Sequence, residues 1–179
     1  MREAISILNS TYETVENLEV TTRDYDYDAI EIALDNLNAS KSYKFHLKSD
    51  SNFKLVRYFQ ADSFEMGSSS WFSLENLLLT ECGTIKLMDS RLTNLDMNEF
   101  LKKWLDGECS EVRELKVQMM EKLDGKVVVE GLSFSDKYIV VREDNKIRIE
   151  REDGVIAELK TPPNGEKTNW FEMKVIMDN

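Results

Sequence analysis

Proline and glycine are scarce in this chain. Only 2 prolines and 7 glycines occur in 179 residues, too few for a collagen-like, linker-rich or low-complexity polymer. Cysteine is scarcer than a disulfide-stapled domain requires. Cys82 and Cys109 form no CxxC pair, and the single histidine, His46, completes no zinc set with them. Two reduced structural thiols in a cytoplasmic or nuclear protein are expected. One histidine also limits catalysis. A Cys-His nucleophile or a Ser-His-Asp hydrolase would have to use His46, yet no local motif surrounds either cysteine and no G-x-S-x-G elbow occurs. The expectation is therefore no enzyme, no metal and no cofactor. No apolar run approaches the ~20 residues of a membrane helix. The opening Met1-Arg2-Glu3-Ala4-Ile5 has no secretory core. Positive charge is in deficit, with 23 Lys and Arg against 34 Asp and Glu and a net charge of −11. That balance disfavours nucleic acid and anionic membranes as partners.

The rest of the composition is that of a globular protein, with 41% hydrophobic and 32% charged residues. A chain of this length buries roughly 70% of its unfolded surface without staples. Periodicity predicts strands alternating with helices. Ile5 and Leu8 suggest a first helix. Asn17-Leu18-Glu19-Val20 alternates as a half-buried strand does. Ile30, Ala33, Leu34 and Leu37 fall on one helical face, with Asp24, Asp26 and Asp28 before it or in its first turn. Tyr43, Phe45 and Leu47 point one way, and Lys44, His46 and Lys48 the other. Ser63–Met66 and Thr84–Leu87 are further strands. Ser73 reads as an N-cap before Leu74, Leu77 and Leu78. Thr93 and Asp96 have the spacing of a capping box, opening a helix that buries Met97, Phe100, Leu101, Trp104 and Leu105 and stops at Gly107. Glu114–Val117 closes this series.

The strands recur with a loose period. Aligned on Leu18, Phe45, Phe64, Ile85 and Leu115, the steps are 27, 19, 21 and 30 residues. This predicts an α/β fold: a short leucine-rich-repeat-like strand–helix array with a parallel sheet, with an ordinary α/β sandwich as the competing fold. After about Met120 the pattern becomes an antiparallel meander. Tyr138–Val141 and Lys146–Ile149 are strands, Asp153-Gly154 a two-residue hairpin turn, Val155–Leu159 the next strand, Pro162–Gly165 a loop and Trp170–Val175 the last strand. Residues 1–120 are thus a repeat-like region and 121–179 an antiparallel β cap, expected to form one continuous domain.

Five blocks then carry a family resemblance. Ser70-Trp71-Phe72-Ser73-Leu74-Glu75-Asn76-Leu77-Leu78 is similar to W-I-T-L-x-x-L-L, and Cys82-Gly83-Thr84-Ile85-Lys86-Leu87 to C-x-x-I-x-L. Leu92 to Trp104 is similar to L-T-x-x-D-x-N-x-F-L-K-x-W. The hairpin Ile149–Ala157 and the closing Phe171–Val175 also fit. From roughly residue 60 onward the chain resembles the type 2 F-box-associated domain of the nematode F-box protein families. The resemblance implies a non-catalytic protein-interaction module, the part of an F-box protein that captures the target of a cullin-RING ubiquitin ligase. The F-box, which docks on the Skp adaptor, is not found in these 179 residues. The expectation is a piece that starts in mid-repeat at an added Met1, or else a natural relative without an F-box. A stand-alone binding or neutralising protein, of inhibitor or antidote type with no ligase link, is the alternative.

On a parallel repeat sheet the outward side chains line one open face, here Glu19, Lys44, His46, Glu65, Lys86 and Lys116. Taken singly each is a solvated polar residue; taken together they are the expected partner surface. A second candidate is the acidic window Glu13–Asp35, which holds Glu13, Glu16, Glu19, Asp24, Asp26, Asp28, Glu31 and Asp35 against Arg23 alone. It reads either as a docking patch for a basic partner, centred on Asp24, Asp26 and Asp28, or as a solvated helix face. A calcium loop is not expected there, since Ala29 and Asp35 stand where an EF-hand needs Gly and Glu. Trp71, Phe72, Phe100 and Trp104 are expected in the core rather than in a ligand pocket, and Trp170 at a rim.

Overall fold

Alternation of apolar and polar residues builds one large sheet. The computed structural model describes residues 13–22, 27–46, 53, 55–132, 139–143, 146–160 and 168–176. Its elements are β1 (Glu13–Thr21), α1 (Tyr27–Asn36), β2 (Leu37–His46), β3 (Phe59–Met66), α2 (Leu74–Leu78), β4 (Thr80–Ser90) and α3 (Asn94–Leu105). There follow β5 (Glu114–Met119), α4 (Gly125–Val128), β6 (Ile139–Glu143), β7 (Lys146–Glu150), β8 (Ile156–Lys160) and β9 (Trp170–Ile176). The nine strands lie in the order β1-β2-β3-β4-β5-β9-β8-β7-β6. β1 to β5 pair in parallel, in chain order. β9 then runs antiparallel beside β5, and β8, β7 and β6 continue the antiparallel meander.

Register stacks the apolar side chains in lateral rows. Leu18, Tyr43, Phe64, Ile85 and Leu115 are successive ladder partners, and Met173, Leu159 and Ile147 extend the row into the antiparallel half. All eight are buried. The expected repeat frame therefore needs one correction. Tyr43, not Phe45, aligns with Leu18, and Phe45 lies in the next row with Val20 and Met66. The two-residue difference keeps both rings on the same face. Phe59 and Phe64 lie 4.8 Å apart between centroids and Tyr43 and Phe59 5.3 Å, so the core of the parallel half is an aromatic cluster.

The helices form where local chemistry marks them. Ile30 and Leu34 bury one face of α1, whereas Leu37 opens β2 instead of extending the helix. The Ser73 hydroxyl accepts from the Asn76 amide at the start of α2. Thr93 and Asp96 complete their capping box, and the five apolar residues expected to face inward on α3 are buried. At its far end Gly107 adopts φ +89°, its amide bonds to the Trp104 carbonyl, and the Glu108 amide reaches the Lys103 carbonyl. That double bond is a Schellman stop, and it needs a residue free to enter the left-handed region.

The β7–β8 turn is longer than expected. Glu150 pairs with Ile156, so Arg151–Val155 make a five-residue loop around Asp153-Gly154. The Arg151 amide bonds to the Val155 carbonyl, and the Arg151 side chain donates twice to Asp153. Those bonds hold a wider turn than two residues can span. The expected features at Ile5 and Leu8, Leu47 and Lys48, and Pro162–Gly165 lie outside the described residues.

Candidate protein-binding face of the sheet

Strand pleating sends every second side chain to the face opposite the apolar rows. Glu19, Lys44, Glu65, Lys86 and Lys116, five of the residues expected at a partner surface, are consecutive ladder partners across β1 to β5. Glu172 on β9 continues their row. A second outward row begins with Asn17, Ser42, Ser63 and Thr84, uncharged in the parallel half. It passes to Glu114, Lys174, Glu158 and Arg148 in the antiparallel half.

Charge alternation organises these rows. Lys86 bonds to Glu65 at 2.9 Å, and Lys160 to Glu172 at 2.7 Å. Lys86 and Lys116 are like-charged lateral neighbours, an unfavourable placement. Lys116 avoids the clash by turning along its own strand to Glu114 at 2.7 Å. The bonds set the local acidities. The Lys86 ammonium holds the Glu65 carboxyl below its usual range, with Lys44 adding to the field. Lys116 does the same to Glu114, which in turn raises Lys116. Such pairs are partly exposed, so each is worth about 0–1 kcal/mol in stability. Their larger effect is to hold long side chains in a defined, solvent-facing array.

The remaining candidates fall elsewhere. His46 is exposed beside Glu19, 3.7 Å from its carboxylate, one row further along β2. Asp28 is exposed in the first turn of α1, while Asp24 and Asp26 lie outside the described residues. Part of the acidic window is neutralised locally, Glu16 by Lys41 at 2.9 Å and Asp35 by Arg57 at 2.6 Å.

Cys82 is not assembled with His46. Cys82 is fully buried on the inner face, and Ala61 is its ladder partner. His46 lies at the opposite end of the strands, near Gly67. Six residues of β3 separate those levels, roughly 20 Å at the rise of a strand. Burial pushes both thiols, Cys82 and Cys109, up to about 11, which disfavours thiolate at neutral pH. Among the described residues no group of three or more His, Cys, Asp and Glu could hold a metal ion. No described helix is long and apolar enough to cross a membrane. Trp71, Phe72, Phe100 and Trp104 are core residues, and Trp170 is half-buried.

One concave feature leaves no local trace in the sequence. The ladder between β2 and β3 begins only at Ser42 and Ser63. Before that level Leu37–Ala39 pair with β1, and Phe59–Ala61 pair with β4. A bulge in β2, where the single residue Glu16 of β1 stands opposite Ser40 and Lys41, falls between that leading segment and Ser42. The sheet therefore splits into a V with Tyr43 at its apex and a cavity of about 740 Å³ between the arms. Asn38, Ala39 and Ser40 line one wall, Tyr58, Gln60, Ala61 and Asp62 the other, and Glu81 and Glu111 complete the mouth. The Tyr58 hydroxyl donates to Glu81, and this bond pushes the phenol up to about 12.

Comparison with known proteins bears on this architecture. Residues 50–117 match a family described as "F-box associated". The match takes in β3, α2, β4, α3 and most of β5, and with them the first three blocks of resemblance. The Ile149–Ala157 and Phe171–Val175 blocks lie beyond it. An uncharacterized protein of Caenorhabditis elegans is 23% identical over 128 residues, an alignment covering 67% of this chain and 30% of that protein. The chain thus spans less than a third of the length of this curated relative. No solved structure matches it. Residues 50–117 are thus similar to the F-box-associated family, and the chain as a whole is consistent with an F-box-associated protein of nematode type.

Proposed function

We propose that this chain is a non-catalytic protein-recognition module, the target-capturing part of an F-box protein in a cullin-RING ubiquitin ligase. The observation that carries this reading is the position of the matched segment. Its strands β3, β4 and β5 present Glu65, Lys86 and Lys116 side by side with their side chains partly exposed to solvent. Recognition works by complementarity of charge and shape along the outward rows, with Glu19, Lys44 and His46 extending the surface towards β1. The parallel half serves as a short leucine-rich-repeat-like scaffold, closed by the antiparallel cap in one continuous domain. Docking on the Skp adaptor would run through an F-box and not through the outward rows, and the complex works in the cytoplasm or nucleus.

The test is co-purification of the full-length protein from its source tissue, with Lys86→Glu/Lys116→Glu alongside. Wild type is expected to bring down the Skp adaptor and a defined target. The double variant is expected to keep the adaptor and lose the target. Loss of the adaptor from wild type, with the target retained, would move the protein to the stand-alone neutralising class. Equal target capture by both forms would remove the outward rows from recognition.

A further inference from the structure

The cleft between the diverging arms of β2 and β3 is built differently from the outward rows. We propose that it is a second binding site, which takes an extended, arginine- or lysine-bearing segment of a protein partner. This inference rests on the cleft alone and stands whether or not the chain works in a ubiquitin ligase.

Three features lead to that occupant. The first is backbone geometry. Leu37–Ala39 are held by β1 on one side and Phe59–Ala61 by β4 on one side, so two strand edges face each other across the gap. Strand edges offer amides and carbonyls to an extended chain, the mode of recognition called β-augmentation; here the Ala39 amide already donates to the Tyr43 hydroxyl at 2.9 Å, so the remaining edge groups serve the ligand. The bulge in β2 makes the gap intrinsic to the ladder register.

The second is size. A cavity of about 740 Å³ lies in the range of roughly 300–1,000 Å³ that accepts a small ligand or a few peptide side chains.

The third is charge. Asp62, Glu81 and Glu111 are exposed carboxylates, and none of the described lining residues is cationic. On the outward face, by contrast, Glu65, Glu114 and Glu158 each have their own lysine or arginine. Glu81 accepts from a neutral phenol instead, so its charge stays uncompensated. Tyr58 is 49% exposed and offers a ring face for a guanidinium, while Val56 and Leu79 nearby in sequence are exposed apolar residues. A net charge of −11 steers a cationic segment towards the molecule as a whole, and the cleft gives it a place to dock.

The probe is a fluorescein-labelled Thr-Arg-Thr-Arg-Thr peptide, titrated with the 179-residue chain by fluorescence anisotropy. Salt at about 150 mM screens remote charges beyond about 8 Å. Thr-Glu-Thr-Glu-Thr is the counter-probe. Asp62→Lys/Glu111→Lys reverses charge at the cleft, and Glu130→Lys/Glu152→Lys reverses as much charge at exposed sites elsewhere. Gln60→Arg puts a tethered cation into the cleft without removing an acid. Saturable binding of the arginine peptide to wild type is expected, with no binding of the glutamate peptide. The cleft double variant and Gln60→Arg should each weaken binding by about tenfold or more, about 1.4 kcal/mol. The remote double variant and Lys86→Glu/Lys116→Glu should bind as wild type does. Equal binding of the two peptides, no saturable binding, or equal losses in the cleft and remote variants would each overturn the proposal. Matching far-UV dichroism across the variants shows that the cleft changes leave the fold intact. Target capture from tissue is not part of this titration, so the cleft and the outward rows can fail separately.

Discussion

Glu158 accepts from two cations at once, Lys146 at 2.9 Å and the Arg148 guanidinium at 2.9 and 3.0 Å. Those bonds, Lys146 first, hold its carboxyl below the usual range. A lowered folded value means that folding favours the ionised form. The contribution is complete above the unfolded value of about 4.3 and fades as pH falls through the lower folded one. Glu65 and Glu114 are held down in the same way, so the outward face weakens as a set in acid. Glu158→Gln is expected to lower stability at neutral pH by less than ~1 kcal/mol, because its partners are about half exposed. The gap between variant and wild type should close as pH drops below about 4. Thermal melts between about pH 3 and pH 7 measure this; a gap that stays constant would mean that charge is not its source. Glu65, Lys86 and Lys116 were legible as outward residues from alternation alone. Which cation serves which carboxylate was not, because the partner of Lys116 lies along its own strand and that of Lys86 across the ladder.

Among the elements, α3 was the most legible and the leading arms of β2 and β3 the least. Thr93, Asp96 and Gly107 write both ends of α3 into local sequence, and the structure uses all three. Thr93→Ala removes the acceptor for the Asp96 amide and is expected to cost about 1 kcal/mol in urea unfolding. No change in stability would mean that packing of Phe100, Leu101 and Trp104 alone fixes the helix start. Local signals were weaker for the β7–β8 loop. Asp153-Gly154 marks a turn correctly but not its length, which depends on Arg151. This arginine is 9% exposed, its guanidinium lies 5.0 Å from the centre of the Trp104 ring, and Asp153 neutralises it. The five-residue loop thus carries a long-range contact with α3 that local sequence does not announce. The V between β2 and β3 had no local signal at all. Its cause is a bulge in pairing with β1, and a bulge depends on two strands far apart in sequence.

At the scale of the whole molecule, the change from parallel to antiparallel pairing falls between β5 and β9, and the apolar rows cross it unbroken. Leu115 meets Met173 and Val117 meets Phe171, all four buried. The sequence marked both halves by their different spacing, but not this junction, since β9 returns from the far end of the chain to lie beside β5. A core shared across the junction leads us to expect one cooperative unfolding unit rather than two. Single-tryptophan variants report on this separately, because Trp71 lies next to α2 and Trp104 in α3, both in the parallel half, and Trp170 opens β9. Urea unfolding followed by tryptophan fluorescence and by far-UV dichroism should give coincident transitions. Phe171→Ala should destabilise the whole transition by about 3–5 kcal/mol, since Phe171 is 2% exposed and fills the seam. A variant that melts the antiparallel strands first, leaving Trp71 in its native environment, would show two separable units. In that case the outward rows would be interrupted at β5, and a partner lying across Lys116 and Glu172 would bind only while the cap is folded.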